Sequence, residues 1–253
     1  MNHPSRVAAE GPGGPLTLRA AVAALRVHHG PPTPPPTAEP FELILWENVA
    51  YLAAPERRRL AFEELKRTVG TAPDRIATAS RQALEKVTAA GILKDDSAAK
   101  LRECARIVLT RFDGELGKAL EGPLDSAKRA LRAFPGIGEP GAEKILLFTG
   151  RHALLAPESN GLRVLVRLGL IRDEGSYART YAAARRLATG LPSDPRAVQE
   201  AHLLLQLHGQ AMCKRSAPRC QACPLSLSCT YARGIGGVDA PPARSPKPRR
   251  VRT

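Results

Sequence analysis

Aromatic side chains are scarce in this chain, at 4% of residues, and no alternating polar–apolar stretch of useful length occurs anywhere in it. Sheets are built from β-branched and aromatic residues in such alternation, so the shortage excludes a β-rich fold. Abundant Ala, Leu and Arg instead favour helix, and an all-α protein is expected. No apolar run approaches the roughly 20 residues of a membrane span. Nor does the sequence open with the basic segment, apolar core and small-residue cleavage site of a signal peptide. No membrane partner is expected, and the cytoplasm is the expected compartment. There, five cysteines read as thiols or metal ligands rather than disulfides. No internal repeat is visible. Carboxylates are the last shortage: 24 Asp and Glu face 38 Lys and Arg, a net charge of +14. That excess favours a polyanionic partner, with nucleic acid ahead of a membrane surface.

Residues 1–14 are rich in Gly and Pro and are expected to be disordered. Residues 15–39 hold a helix, Leu16 to His29, with Leu18, Val22, Leu25 and Val27 towards one side. A linker follows, extended by six prolines from Pro31 to Pro40. From Phe41 onward the pattern is helical. Phe41 to Ala54 is apolar and stops at Pro55; Glu56 to Val69 turns Leu60, Phe62, Leu65 and Val69 inward. Ser97 to Phe112 buries Leu101, Cys104, Ile107, Val108 and Leu109, with Cys104 expected as a core residue. Leu124 to Phe134 leads into a turn, and helices follow to about Thr149 and near Asn160 to Leu168, Gly175 to Thr189 and Asp194 to Met212. Residues 232–253 form a basic tail, with Lys247 and several arginines among prolines, and are expected to be disordered. Part of the positive charge therefore belongs to the tail and not to the folded body.

The turn is Phe134-Pro135-Gly136-Ile137-Gly138-Glu139-Pro140-Gly141. Two glycines bracketing one apolar residue suit a tight corner between helices, with backbone N–H groups open to a ligand. A helix starting at about Pro140, a position that tolerates proline, adds the unpaired N–H groups of its own first turn. Together these make a site for one phosphate of a nucleic acid; an ordinary helix corner has the same local signature.

Cys213, Cys220, Cys223 and Cys229 form C-x6-C-x2-C-x5-C. Four thiolates in one short loop can enclose a metal centre, and so small a lobe needs a staple of that kind. Structural zinc usually takes two separated C-x2-C knuckles. One close pair flanked by single cysteines suits a cubane cluster with one thiolate per iron better.

With hairpin and cysteine loop both in view, the sequence resembles the endonuclease III branch of the helix-hairpin-helix DNA glycosylases. The cysteine spacing matches that family's iron–sulfur loop, including Cys223-Pro224-Leu225. Phe134-Pro135-Gly136-Ile137-Gly138 matches its L-P-G-V-G hairpin, Pro40-Phe41-Glu42-Leu43 its first core helix, and Phe112-Asp113-Gly114-Glu115 the turn before the hairpin. The likeness covers about residues 40–231. It implies a two-lobed all-α fold: a helical barrel over 40–150 ending in the hairpin, and a second lobe over 151–231 that carries a [4Fe-4S] cluster and is joined by the N-terminal helix. It also implies a monomer binding double-stranded DNA with a lesion or mismatch in the cleft between lobes, associated with the nucleoid.

The resemblance also assigns site residues. Gly136, Ile137, Gly138 and Gly141, with Lys144 nearby, would hold DNA, and the four cysteines would hold the cluster. Bifunctional members carry a lysine two residues after the second hairpin glycine, which attacks C1′ as a Schiff-base nucleophile. Here that position is Pro140, which has no amine. Lys144 lies roughly 6 Å further along the helix, too far for a nucleophile that tolerates little misplacement; a solvated or phosphate-contacting lysine is the expected role. The family's catalytic aspartate stands in a V-D-T-H segment, matched here by Pro157-Glu158-Ser159-Asn160. Glu158 would stabilise the sugar cation and direct water, or serve simply as an acidic residue at a helix start. Glu47 falls where the related adenine glycosylase carries the glutamate that protonates the departing base. In an apolar helix its pKa would be raised, as a general acid requires, unless a salt bridge holds it. A monofunctional base-excision glycosylase is the leading expectation. A bifunctional glycosylase/AP lyase and a catalytically inactive lesion- or structure-binding protein are the alternatives.

Overall fold

The computed structural model describes residues 15–50, 53–91 and 94–235. The segments expected to be disordered, 1–14 and the tail from 236, lie outside the described residues. Every regular element among the described residues is helical, as the composition implies. The helix Thr230–Ile235 runs past residue 231, where the sequence places the start of the tail.

Helix starts follow ordinary capping chemistry. Helix α1, Leu18–His29, is capped by the Thr17 hydroxyl, which accepts the Ala20 N–H at 3.1 Å. Helices α2 (Pro40–Val49), α3 (Pro55–Thr68) and α4 (Pro73–Thr78) each open on proline, where a missing N–H costs nothing. Helix α5 covers Arg81–Thr88, α6 Lys94–Arg111, α7 Leu116–Ala119 and α8 Leu124–Leu131. After the hairpin come α9 (Glu139–Phe148), α10 (Ser159–Leu168), α11 (Tyr177–Arg186), α12 (Pro195–Ala211) and α13 (Thr230–Ile235). The expected helix to Ala54 ends sooner, at Val49, because Ala50 leaves helical geometry with φ −147°.

Two long helices act as axes. In the first lobe, α2, α4 and α5 pack against α6; in the second, α1 and α10 pack against α12. Helix α9 touches both α2 and α12 and so joins the lobes. Three side chains expected inside lie outside: Val27 and Leu60 are 88% and 65% exposed, and Leu109 is 38% exposed. The reason is helical geometry. Two residues along a helix rotate about 200°, so Val27 cannot share a face with Leu25, nor Leu60 with Phe62. Cys104 is buried, and burial together with Glu103 pushes its thiol up to about 12, which suits an inert core residue.

Candidate DNA-binding and catalytic site

The hairpin is tied by Phe134 N–H to Leu131 O and Ile137 N–H to Phe134 O, both 3.2 Å. Phe134 stacks on Phe112, and Ile137 is 5% exposed. The Ile137 side chain therefore anchors the turn in the core, and its N–H is already taken. Gly136 has φ +78°, and a Cβ there would stand 2.8 Å from Asn48 Oδ1, so conformation and space both require glycine. Gly138, with φ −86°, serves as the bare N-cap of α9, with no side chain closing the helix start. Gly141 lies in the first turn of α9. Glu139 shares that turn. Its charge is offset by Lys128, by Arg132 at 3.4 Å and by Arg185 at 3.4 Å.

One turn along α9, Glu143 is 1% exposed and fully engaged. Lys128 Nζ reaches it at 2.9 Å, Arg185 Nη1 at 2.5 Å and the Tyr181 hydroxyl at 2.6 Å. Burial, then the Glu143 carboxylate, pushes the Tyr181 phenol well above its usual range, so it remains a donor. This network pins α11 of the second lobe to the hairpin. Sequence reasoning missed it, although it left a signal. Lys128 and Arg132 stand four apart on α8, and Glu139 and Glu143 four apart on α9, matching charges on two helices joined by one turn.

Between the lobes lies a cavity of about 190 Å³ lined by Trp46 and Glu47 of α2, Arg58 of α3, Lys144 and Phe148 of α9, and His202 of α12. One water's share is about 30 Å³, so several fit. Lys144 Nζ holds Glu47 Oε2 at 2.5 Å, and Arg58 stands 4.0 Å from Oε1. Two expectations change here. Burial alone would raise the Glu47 pKa, but Lys144 and then Arg58 outweigh it and hold the carboxyl below the usual range. Glu47 is thus ionised, not a resting acid. Lys144, with 17% of its side chain exposed, is a buried ion-pair partner and not a solvated lysine. His202, not singled out from the sequence, is 2% exposed, and burial followed by Lys144 pushes its pKa down to about 3. Its ring bonds the backbone at Ala156, while Nδ1 has no partner among the described residues; Arg58 Nε is equally unpaired.

Glu158 does not line this cavity. It caps α10: Oε1 accepts the N–H of Asn160 at 2.9 Å and of Gly161 at 3.1 Å, and Oε2 accepts Asn160 Nδ2 at 2.9 Å. The start of α10 is keyed to α12 by a close approach, since a Cβ on Gly209 would stand 2.6 Å from Asn160 O. Arg163 secures the same junction by donating to Gly209 O and to Cys213 O, at 2.8 and 2.9 Å. The candidate carboxylate is therefore built onto the start of α10, which is keyed to α12, the helix that leads into the cysteine loop.

Cys213, Cys220, Cys223 and Cys229 line one pocket with Arg167 and His208. Arg167 closes it by donating to Lys214 O at 2.6 Å and Arg215 O at 3.0 Å, and its guanidinium lies over the Tyr231 ring. The thiols surround a space, and among the described residues no three His, Cys, Asp or Glu converge as a single ion would require.

No protein-family profile matches the chain. It is 26% identical over 197 residues to endonuclease III of Sulfolobus acidocaldarius, covering 77% of this chain and 83% of that one. It is 24% identical over 155 residues to the thymine/uracil-DNA glycosylase of Pyrobaculum aerophilum, covering 61% and 64%. Among solved structures, a trapped endonuclease III–DNA covalent intermediate superposes with a TM-score of 0.70 at 18% identity, over 87% of this chain and 99% of that one. A thermostable thymine-DNA glycosylase gives 0.70 at 17% identity, over 86% and 97%. The chain is thus similar in sequence to endonuclease III and to a thymine/uracil-DNA glycosylase, and it shares the fold of the endonuclease III-like helix-hairpin-helix glycosylases.

Proposed function

We propose that this chain is a DNA glycosylase of the endonuclease III superfamily that hydrolyses the N-glycosidic bond of a flipped, damaged or mispaired base without cutting the strand. The observation that carries this reading is the amine-free hairpin. Pro140 occupies the second position of α9, and the nearest amine along that helix, Lys144, is held by Glu47 at 2.5 Å. A Schiff base at C1′ needs a free, placed amine. The uncapped start of α9 and the bare backbone of Gly136 and Gly138 would anchor one phosphate of double-stranded DNA. Glu158 would stabilise the positive charge that develops on the sugar and accept a proton from the attacking water. Because Glu47 is ionised at rest, the proton for the leaving base would come from Lys144, the donor that Glu47 holds in the cavity. The Lys144–Glu47 pair would deliver it to the flipped base, and the pair is left to reload from water. Extruding the base lets the reacting bond reach these groups.

The four cysteines fit a [4Fe-4S] cluster, since they ring one pocket instead of meeting at a point. When bound, the cluster would staple the loop between α12 and α13; no chemical step is assigned to it. The residues that would hold it are Cys213, Cys220, Cys223 and Cys229.

A panel of lesion-bearing duplexes with borohydride trapping tests the reading. Base release without a trapped adduct is expected, and release should vanish in Glu158→Gln. A covalent adduct would overturn the monofunctional reading and promote Lys144. No release from any substrate would leave a DNA-binding protein.

A further inference from the structure

Two histidines outside the catalytic groups stand in line with the cysteine pocket. His208, in the last turn of α12, is 1% exposed, and its Nε2 lies 3.5 Å from Cys223 Sγ. Its Nδ1 lies 3.1 Å from Nε2 of His29, the final residue of α1, and the two rings meet edge-on. With both rings neutral, only one arrangement of protons satisfies all three groups once Cys223 is a thiolate. A thiolate accepts and cannot donate, so Nε2 of His208 must carry hydrogen. With its ring hydrogen on Nε2, His208 presents Nδ1 as an acceptor, and the hydrogen on that bond comes from Nε2 of His29.

We infer that His29 and His208 form a hydrogen-bond relay that holds His208 as donor to the Cys223 thiolate and so raises the reduction potential of the cluster bound there. The inference rests on the iron–sulfur reading of the four cysteines. Reduction adds negative charge, part of which falls on the thiolate sulfurs, and a donor on one of them stabilises the reduced state. The outer histidine fixes the tautomer of the inner one, as outer partners do for metal-bound histidines. A role for α1 follows that neither hairpin nor cleft gives it: it supplies the far end of the relay.

Protein-film voltammetry on the brown, cluster-loaded full chain tests this. The midpoint potential should fall in His208→Leu and fall by less in His29→Ala. It should stay near the parent value in His29→Gln, whose amide N–H can reach His208 Nδ1. Equal potentials in the parent and His29→Ala would overturn the relay, as would a fall in His29→Gln as large as in His29→Ala. Because His208 is buried, its variant could lose the cluster; the two variants of the half-buried His29 then decide alone. A colourless chain would remove the cluster reading and the relay with it, whereas brown chains with unchanged potentials would remove only the relay.

Discussion

Glu143 and Glu47 are both carboxylates drawn into the helix packing around α9, yet their surroundings differ. Glu143 is saturated: two cations share one oxygen and a phenol serves the other. Glu47 has one close partner, a second at 4.0 Å, and beside it a buried imidazole nitrogen and a guanidinium nitrogen with no partner among the described residues. Buried polar groups left unpaired are costly, and proteins keep them where a ligand completes the set. The saturated carboxylate holds the lobes together; the incomplete one faces the cavity and awaits a partner.

The sharpest way to break this comparison is chemical. Glu47→Gln should cut base release by about 100-fold or more, the usual worth of acid–base catalysis, because it removes the anion that holds the proposed donor Lys144, with a smaller effect on thermal stability. Loss of stability without loss of activity would reverse the assignment. Glu143→Ala should do the opposite. It leaves Lys128 and Arg185 only Glu139 and the Tyr181 hydroxyl no carboxylate, and should cost about 3 kcal/mol in urea unfolding, with base release largely kept at low temperature. Gly136→Ala comes next, at about 1–2 kcal/mol, from the left-handed backbone and the contact with Asn48. It should also weaken binding to undamaged duplex, measured by fluorescence anisotropy.

The last effect is one of pH and is spread over several units. His202 has an ordinary value of 6.5 when unfolded and about 3 in the fold. Between those values the unfolded chain binds the extra proton, so stability rises with pH. The contribution is complete above about pH 6.5 and is lost as pH falls towards 3, by up to about 1.4 kcal/mol per unit. His202→Gln should flatten that slope in thermal unfolding followed from pH 7 to 4; an unchanged slope would show that other groups dominate.

Much of this architecture is legible in the sequence because it is local. Proline at helix starts, Gly136 in the turn, and apolar residues three and four apart each act within one or two turns. The failures at Val27 and Leu60 came from neglecting that same periodicity. The site is less legible because its groups meet across the chain. Glu47 and Lys144 are 97 residues apart, and without that contact an apolar helix argues for a raised pKa when the pair lowers it. Glu158 reads in sequence as either catalytic or capping, and in space it performs the cap. The histidines at 202 and 208 carry no motif, only an odd polarity within an apolar stretch.

The bond between His29 and His208 joins residues 179 positions apart. The second lobe is therefore discontinuous, begun by α1 and finished by α12 with the whole barrel between them. During synthesis α1 emerges first and must wait for its partner until nearly the entire chain has left the ribosome. Contacts of such long range close late, so the barrel should fold around its own local contacts before α1 docks. Cluster loading would then be the last event in the protein's maturation, and a nascent chain stalled before residue 213 would carry a finished hairpin but no finished lobe to brace it.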